Sequence, residues 1–123
     1  MVTSFRAVNS DVDLDAVLAA SNLAPVIILK HSETCGVSLM VRDRLLDSEL
    51  PAPVHEVSVQ RQRGVSNRIA KQFGVRHESP QAFVVARGAV AWHSSHNGVL
   101  ADRITAAWNQ AAGTFTPAPA STL

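Results

Sequence analysis

The chain is poor in the residues that would cross-link it, charge it strongly or hold it in a membrane. Its 123 residues include one cysteine, so no disulfide can form within the chain. Eleven basic residues stand against ten acidic ones, and this balance gives no electrostatic reason to expect a nucleic acid partner. No apolar run approaches the roughly 18 residues that cross a bilayer. We therefore predict a soluble protein with no nucleic acid and no membrane partner.

The sequence also predicts the cellular location and the domain organisation of the protein. Residues 1–20 lack the basic start, apolar stretch and cleavage site of a secretory signal, and a lone cysteine suits a reducing compartment, so we expect the cytoplasm. A chain of this length buries a core without disulfide or metal staples, and we predict one domain over residues 1–113. Residues 114–123 place two prolines among small and hydroxylated residues, which predicts a disordered tail.

The cysteine lies where an apolar run gives way to a helix. Residues 26–29 are four aliphatic residues in succession, a pattern typical of a strand buried on both faces. After a polar turn, the spacing of apolar residues predicts a helix over 35–48 that stops before Pro51. At its start, unpaired amides and the positive end of the helix dipole favour a negatively charged sulfur on Cys35. We therefore predict a reactive thiol. The alternative is the small buried hydrophobe that free cysteine commonly forms.

The other patterns predict an α/β order. Residues 1–10 carry no strong pattern and stay open between a short strand and a coil. Apolar spacing and turn signals predict the following further elements: a helix over 11–21, a strand over 54–59, a helix over 64–74, a hairpin of strands 83–86 and 89–92, and a helix from Asn97-Gly98 to Gly113. The two strands that flank the Cys35 helix should be parallel, with a right-handed crossover. The result is a three-layer α/β sandwich in which helices cover both faces of a four-stranded mixed sheet.

Several features together resemble the thioredoxin fold. These are the order of elements, a cysteine at the start of the helix after the first core strand, and Ser79-Pro80 directly before the third. Three blocks resemble, more narrowly, the monothiol bacilliredoxin-like proteins of the bacillithiol system: KHSETCGVS over 30–38, SNRIAKQFGVRHESPQ over 66–81 and VAWHSSH over 90–96. The likeness spans roughly residues 10–110. One departure is Gly36, where such proteins often carry proline; glycine loosens the first turn and leaves an amide donor near the sulfur.

The resemblance implies a thiol-disulfide oxidoreductase with no bound cofactor. Cys35 would attack mixed disulfides on S-thiolated proteins and take up a low-molecular-weight thiol such as bacillithiol, the co-substrate. Another thiol or a reductase would then regenerate it. Since Ser38 stands where a second redox cysteine would be, an internal dithiol cycle is impossible.

The same resemblance implies a substrate-binding set of Thr34, Gly36, Ser79 and Pro80. Pro80 would be cis and face the sulfur, leaving the backbone of Ser79 free to pair with an extended substrate segment. The alternative is an ordinary trans proline at the start of a strand, since only about 5 to 6% of X-Pro bonds are cis.

Polar neighbours of the cysteine are candidates for supporting its thiolate. Lys30 or His31 could act by charge, Thr34 could cap the helix, and Ser38 could donate a hydrogen bond to sulfur. Each could equally belong to a solvated turn. Arg76 and His77 are further candidates, for meeting the carboxylates of an anionic thiol; the alternative is a solvated loop.

The sequence allows two other functional classes to be compared with this one. A metal site is disfavoured because His93 and His96 stand without the paired cysteines of structural zinc sites, and no Gly-rich phosphate loop or serine triad appears. The competing function is a non-catalytic thioredoxin-like binding module or a thiol-based stress sensor, in which Cys35 is passively thiolated.

Overall fold

A computed structural model describes residues 3–115 of the chain. Its strands and helices are, in chain order, β1 (Phe5–Ala7), α1 (Asp11–Ala20), β2 (Val26–His31), α2 (Gly36–Leu46), β3 (Val54–Ser58), α3 (Arg63–Phe73), β4 (Gln81–Ala86), β5 (Ala89–Ser95) and α4 (Ala101–Ala112). Short 3-10 turns occupy His96–Gly98 and Gly113–Phe115. None of the helices in this part of the chain is long and apolar enough to cross a membrane.

The strands form one mixed sheet in the order β1-β3-β2-β4-β5. The β2 and β3 strands are parallel, as the sequence predicts, and β4 pairs antiparallel with both β2 and β5. The three-layer α/β sandwich is therefore confirmed, but its sheet has five strands instead of four. The extra strand is β1, which pairs in parallel with β3 from Phe5 opposite Val54. With three residues, it is too short to show a period of its own, and only the free edge of β3 defines it.

The core lies on both faces of β2, and every residue of this strand is buried. On one face, Val26 and Ile28 pack with residues of α1 and α3. On the other face, Ile27 and Leu29 pack with residues of α2 and α4. Burying each such aliphatic side chain contributes about 1.5–3 kcal/mol, so the central strand is well anchored. It therefore holds its carboxyl end, and the turn to Cys35, in a defined place.

The last helix begins later than predicted. Asn97 and Gly98 lie in a 3-10 turn, and α4 begins at Ala101 after an extended N-cap residue, Leu100. A side chain at Gly98 would place its Cβ 2.1 Å from the Oγ of Ser94, so this glycine permits a close approach of the turn to β5. The Asn-Gly dipeptide therefore marks a turn before the helix and not the helix itself.

The sequence predicts that the domain ends at residue 113, whereas the described structure continues for two more residues. Thr114 and Phe115 continue into a 3-10 turn that packs on the hairpin connection. The guanidinium of Arg87 lies 3.8 Å from the Phe115 ring centroid, and its Nη2 donates to the Thr114 carbonyl at 2.7 Å. Residues 116–123, the rest of the predicted tail, lie outside the described residues.

Candidate active site

Cys35 is the N-cap residue of α2. Its backbone is extended, with φ −100° and ψ 121°, and its carbonyl accepts the first helical hydrogen bond, from Leu39 at 3.0 Å. Its side chain is partly exposed and makes no capping hydrogen bond. The sulfur therefore lies at a helix terminus whose first amides have no side-chain acceptor, a position that favours negative charge and that a substrate can reach.

The turn before Cys35 is held by one side chain that the sequence analysis missed. Gln60, just after β3, donates from Nε2 to the hydroxyls of Ser32 at 2.8 Å and Thr34 at 3.2 Å. Its Oε1 accepts the backbone N–H of Glu33 at 2.9 Å. A single amide thus pins three successive residues of the turn. Nothing in the local sequence marks Gln60, because its partners lie more than 25 residues away along the chain.

Thr34 does not cap α2, which corrects the capping role expected for it. It lies one residue before the N-cap, is exposed and bonds to Gln60. Ser38, one turn into the helix, is fully buried and its Oγ accepts the backbone N–H of Ser32 at 3.2 Å. This bond ties the first turn of α2 to the end of the strand. Support of the thiolate by Ser38 stays a prediction.

Lys30 and His31 are both buried, and they lie on opposite faces of the sheet because side chains alternate along β2. The Nζ of Lys30 donates to the carbonyl of Ser66 in α3 at 3.2 Å. Burial lowers the pKa of Lys30 to about 8, so the amine remains mostly protonated at pH 7.

Burial also lowers the pKa of His31, and the nearby Glu56, Arg42 and Glu33 act on it with opposite signs. The imidazole is therefore mostly neutral at pH 7. Support of the thiolate by the charge of His31 or of Lys30 stays a prediction.

The Ser79–Pro80 peptide bond is cis and directly precedes β4. The Pro80 carbonyl accepts the backbone N–H of His96 at 2.8 Å, and the 3-10 turn that begins at His96 packs against α2. The proline loop and the helix headed by Cys35 are thus joined through this turn. At Gly36, an added Cβ would meet nothing within 4 Å, so no close approach of a neighbouring atom requires glycine there.

Glu78 fastens the proline loop to the end of β5, and sequence reasoning did not single it out. Its carboxylate accepts from Ser95 Oγ at 2.6 Å and lies 3.3 Å from His96 Nε2. The Ser95 hydrogen bond and then the His96 contact hold the pKa of Glu78 below its usual value. Between residues 3 and 115, no cluster of three or more potential metal-ligating side chains occurs.

Arg76 and His77 lie in the loop before the cis peptide and are exposed. Arg76 lines a pocket of about 380 Å³ together with Glu78 and His93. His77 instead faces α3, with Nδ1 3.5 Å from Ser66 Oγ, and burial followed by the charge of Lys30 lowers its pKa. The two residues therefore face different surroundings, and their contact with an anionic thiol stays a prediction.

Comparison with known proteins agrees with this geometry. A family model described as monothiol bacilliredoxin BrxC matches residues 6–104. A solved protein proposed to be an oxidoreductase with a thioredoxin fold is 30% identical, with 84% of this chain and 92% of that chain covered and a TM-score of 0.76.

Thioredoxins of lower identity share the same architecture. Thioredoxin f from spinach chloroplast is 17% identical, with 89% and 95% of the two chains covered and a TM-score of 0.64. A mutant thioredoxin from Halobacterium salinarum is 20% identical, with 94% and 95% covered and a TM-score of 0.65. These two likenesses concern the fold alone, and they confirm the predicted thioredoxin-like sandwich.

Proposed function

This chain belongs to the monothiol bacilliredoxin BrxC family, and from that premise we propose that Cys35 removes a low-molecular-weight thiol from proteins that carry it as a mixed disulfide. The family and the fold make the protein a thiol oxidoreductase in general. The bacillithiol-like co-substrate and the S-thiolated protein partners are the finer part of the proposal. One observation carries it: the only cysteine is a partly exposed N-cap at the start of α2.

The proposed reaction consists of two thiol-disulfide exchanges. In the first, the Cys35 thiolate attacks the small-thiol sulfur of the mixed disulfide. A disulfide forms between Cys35 and the small thiol, the original bond breaks, and the substrate protein leaves as a thiolate that takes a proton. In the second, a thiolate from another small thiol or a reductase attacks that small-thiol sulfur, and Cys35 leaves. Each step exchanges one disulfide for another, so no further oxidant or reductant is needed.

The second exchange must use a thiol from outside because the chain has no other cysteine. The buried hydroxyl of Ser38 occupies the position of a resolving sulfur and cannot form a disulfide. A sulfur whose negative charge is stabilised by a helix terminus is also the better leaving group in this step. The helix terminus would therefore assist release of the adduct as well as its formation.

Substrate protein would bind across the turn and the cis peptide. The exposed Thr34 and Gly36 flank the sulfur, and the backbone of Ser79 would pair with an extended segment of the partner. Such pairing gives affinity without demanding a sequence, which suits an enzyme with many S-thiolated targets. We place this activity in the cytoplasm, where a reducing pool supplies the second thiol.

Turnover on defined mixed disulfides tests the function. One protein thiol is loaded in turn with bacillithiol, glutathione and coenzyme A, and its release is followed with catalytic amounts of this chain and excess small thiol. We expect many turnovers with at least one adduct and none after Cys35→Ala. A single labelling event per chain, with partner binding retained in Cys35→Ala, would instead identify a binding module or a thiol-based stress sensor.

A further inference from the structure

Two exposed arginines lie beside the cis-proline loop, and the proposed reaction does not use them. Arg63 is the first residue of α3, and Arg76 lies in the loop before the cis peptide. Within residues 3–115, neither guanidinium takes part in an ion pair or a hydrogen bond. Their charge is therefore available to a molecule that approaches this part of the surface.

His77 brings the two arginines close together. Its Nδ1 lies 3.5 Å from the Oγ of Ser66, which follows Arg63 by three residues and therefore shares its face of α3. Arg76 directly precedes His77 in the chain. After burial, the charges of Lys30 and Arg63 lower the pKa of His77, which shows that positive charge is concentrated around this ring.

The carboxylates nearest in sequence to the active-site loops already have partners. Glu78 accepts from the hydroxyl of Ser95 and contacts His96. Glu33 forms an ion pair with Arg61, with 2.9 Å between Oε2 and Nε. Neither carboxylate is left to neutralise the two exposed arginines.

Two further sources of positive potential lie under this surface. The amine of Lys30 is buried beneath Ser66 and, with a pKa of about 8, stays mostly protonated at pH 7. In sequence, the first turn of α3 carries Arg63 and no acidic residue. Because the helix dipole makes a cation unfavourable at this end, Arg63 adds nothing there to the stability of the helix. An anion bound at the surface would offset this repulsion.

Both arginines are close in the chain to segments that build the site around Cys35. Arg63 comes three residues after Gln60, whose amide holds the turn before the cysteine. Arg76 comes four residues before Pro80, whose peptide bond is cis. A specific interface covers about 800 Å² of each partner. A partner protein whose cysteine meets Cys35 therefore also covers these arginines.

We propose that Arg63 and Arg76 form a docking surface for acidic residues that flank the modified cysteine of a partner protein. Pairing with the backbone of Ser79 demands no sequence, so the two arginines would supply a preference among partners. Complementary charge of this kind acts chiefly on the rate of association and on the choice of partner. This inference rests on the proposed function and adds the chemistry of the preferred protein partner.

The test compares two peptides that differ only in the residues on either side of a single cysteine, glutamate in one and glutamine in the other. In both, the cysteine carries thionitrobenzoate as a mixed disulfide. Attack by the Cys35 thiolate on the peptide sulfur forms a new disulfide and releases the coloured thionitrobenzoate thiolate. We expect the glutamate peptide to react about tenfold faster at low ionic strength, and this ratio to fall as salt is added. Equal rates would overturn the proposal.

Variants locate the preference on the surface. Arg63→Gln and Arg76→Gln should each lower the ratio of the two rates, and the double variant should bring it close to one. Arg44→Gln changes an exposed arginine in the last turn of α2 and should leave the ratio unaltered. Alkylation by iodoacetamide, which is uncharged, corrects for any change in the reactivity of the sulfur itself. A ratio that survives in the double variant would also overturn the proposal.

This experiment separates the docking surface from the small thiol and from turnover. Thionitrobenzoate is the same in both peptides, so its own contacts cancel in the ratio. If Arg76→Gln slows both peptides equally, the arginine acts on the small leaving group and the proposal is wrong. Only a single exchange is measured, so the ratio does not depend on regeneration of Cys35. Absence of multiple turnovers on defined mixed disulfides, with the ratio retained, would count against the proposed function alone.

Discussion

Lys30 and His31, the last two residues of β2, are adjacent in sequence but face opposite sides of the sheet. They differ in their hydrogen bonding and in the space beside their side chains. On the Lys30 side, a charged amine is fully enclosed and bonded to α3 through Ser66. On the His31 side, the residue lines a pocket of about 400 Å³, and its ring nitrogen Nδ1 is buried without a hydrogen-bond partner. The end of the central strand that leads to Cys35 is therefore enclosed on one face of the sheet and borders a pocket on the other.

The largest expected effect is on the pH dependence of stability, and it tests whether the amine of Lys30 is enclosed. Lysine in the unfolded chain has a pKa of 10.5, whereas burial lowers the pKa of Lys30 to about 8. Between these values the unfolded state binds more protons, so stability should rise with pH from 8 to 10.5, by about 3 kcal/mol. Urea unfolding at several pH values should show this rise in the wild type and its loss in Lys30→Met.

Lys71→Met is the matched control for that measurement, because Lys71 is an exposed lysine on α3. Its pH dependence should follow that of the wild type. If Lys30→Met also retains the rise in stability between pH 8 and 10.5, the amine of Lys30 is not desolvated. The contrast between Lys30 and His31 would then be wrong.

A second effect concerns the open side. His31→Leu removes the unsatisfied nitrogen and should raise the free energy of unfolding by about 1 kcal/mol, the lower end of the desolvation penalty of a buried polar group. Since the pKa of His31 is lowered on folding, the wild type should also lose stability as pH falls below 6.5, and the variant should lose less. Thermal unfolding at pH 5.5 and 7.5 measures both. Unchanged or lower stability at pH 7.5 would show that the nitrogen is satisfied in solution.

A third, few-fold effect is on the alkylation rate of Cys35, and it tests whether Lys30 or His31 acts on the sulfur. The helix terminus should make Cys35 react with iodoacetamide at pH 6 faster than a model thiol. Lys30 is charged at that pH, whereas burial lowers the pKa of His31, so Lys30→Met should slow alkylation more than His31→Leu does. Mass spectrometry gives the rates. Equal slowing in the two variants would show that the contrast in charge between the sides does not reach Cys35.

The smallest expected effect is on stability, from a substitution at Gly36, next to Cys35. Gly36 is the first residue of α2, a position that favours proline, and an added Cβ meets nothing within 4 Å. Gly36→Pro should therefore stabilise the protein by about 0.4–1 kcal/mol, through reduced freedom of the unfolded chain. It also removes an amide donor near the sulfur, so alkylation of Cys35 should slow slightly. Gly64→Ala, another open helical glycine, controls for stabilisation without any change in alkylation.

Much of the fold could be predicted from local patterns. Four aliphatic residues over 26–29 predict the central strand, and the glycine after α3 does adopt the left-handed conformation, with φ 65°, that ends that helix. The hairpin around Arg87-Gly88 also occurs where it was predicted. Limits of elements were less accurate, since the predicted start of the last helix lies in a 3-10 turn, where Gly98 approaches Ser94 of β5, and α4 begins only at Ala101.

The sequence by itself determined that the chain has one cysteine, that this cysteine begins the helix after the central strand, and that no internal disulfide chemistry is open to it. These are local properties, set by residue type and spacing. Only the tertiary structure decided that β1 joins the sheet, that Gln60 holds the turn before Cys35, and that His31 borders a pocket while Lys30 is enclosed. Such features arise from contacts between residues far apart in the chain, where hydrogen bonding and packing leave no trace in the local pattern.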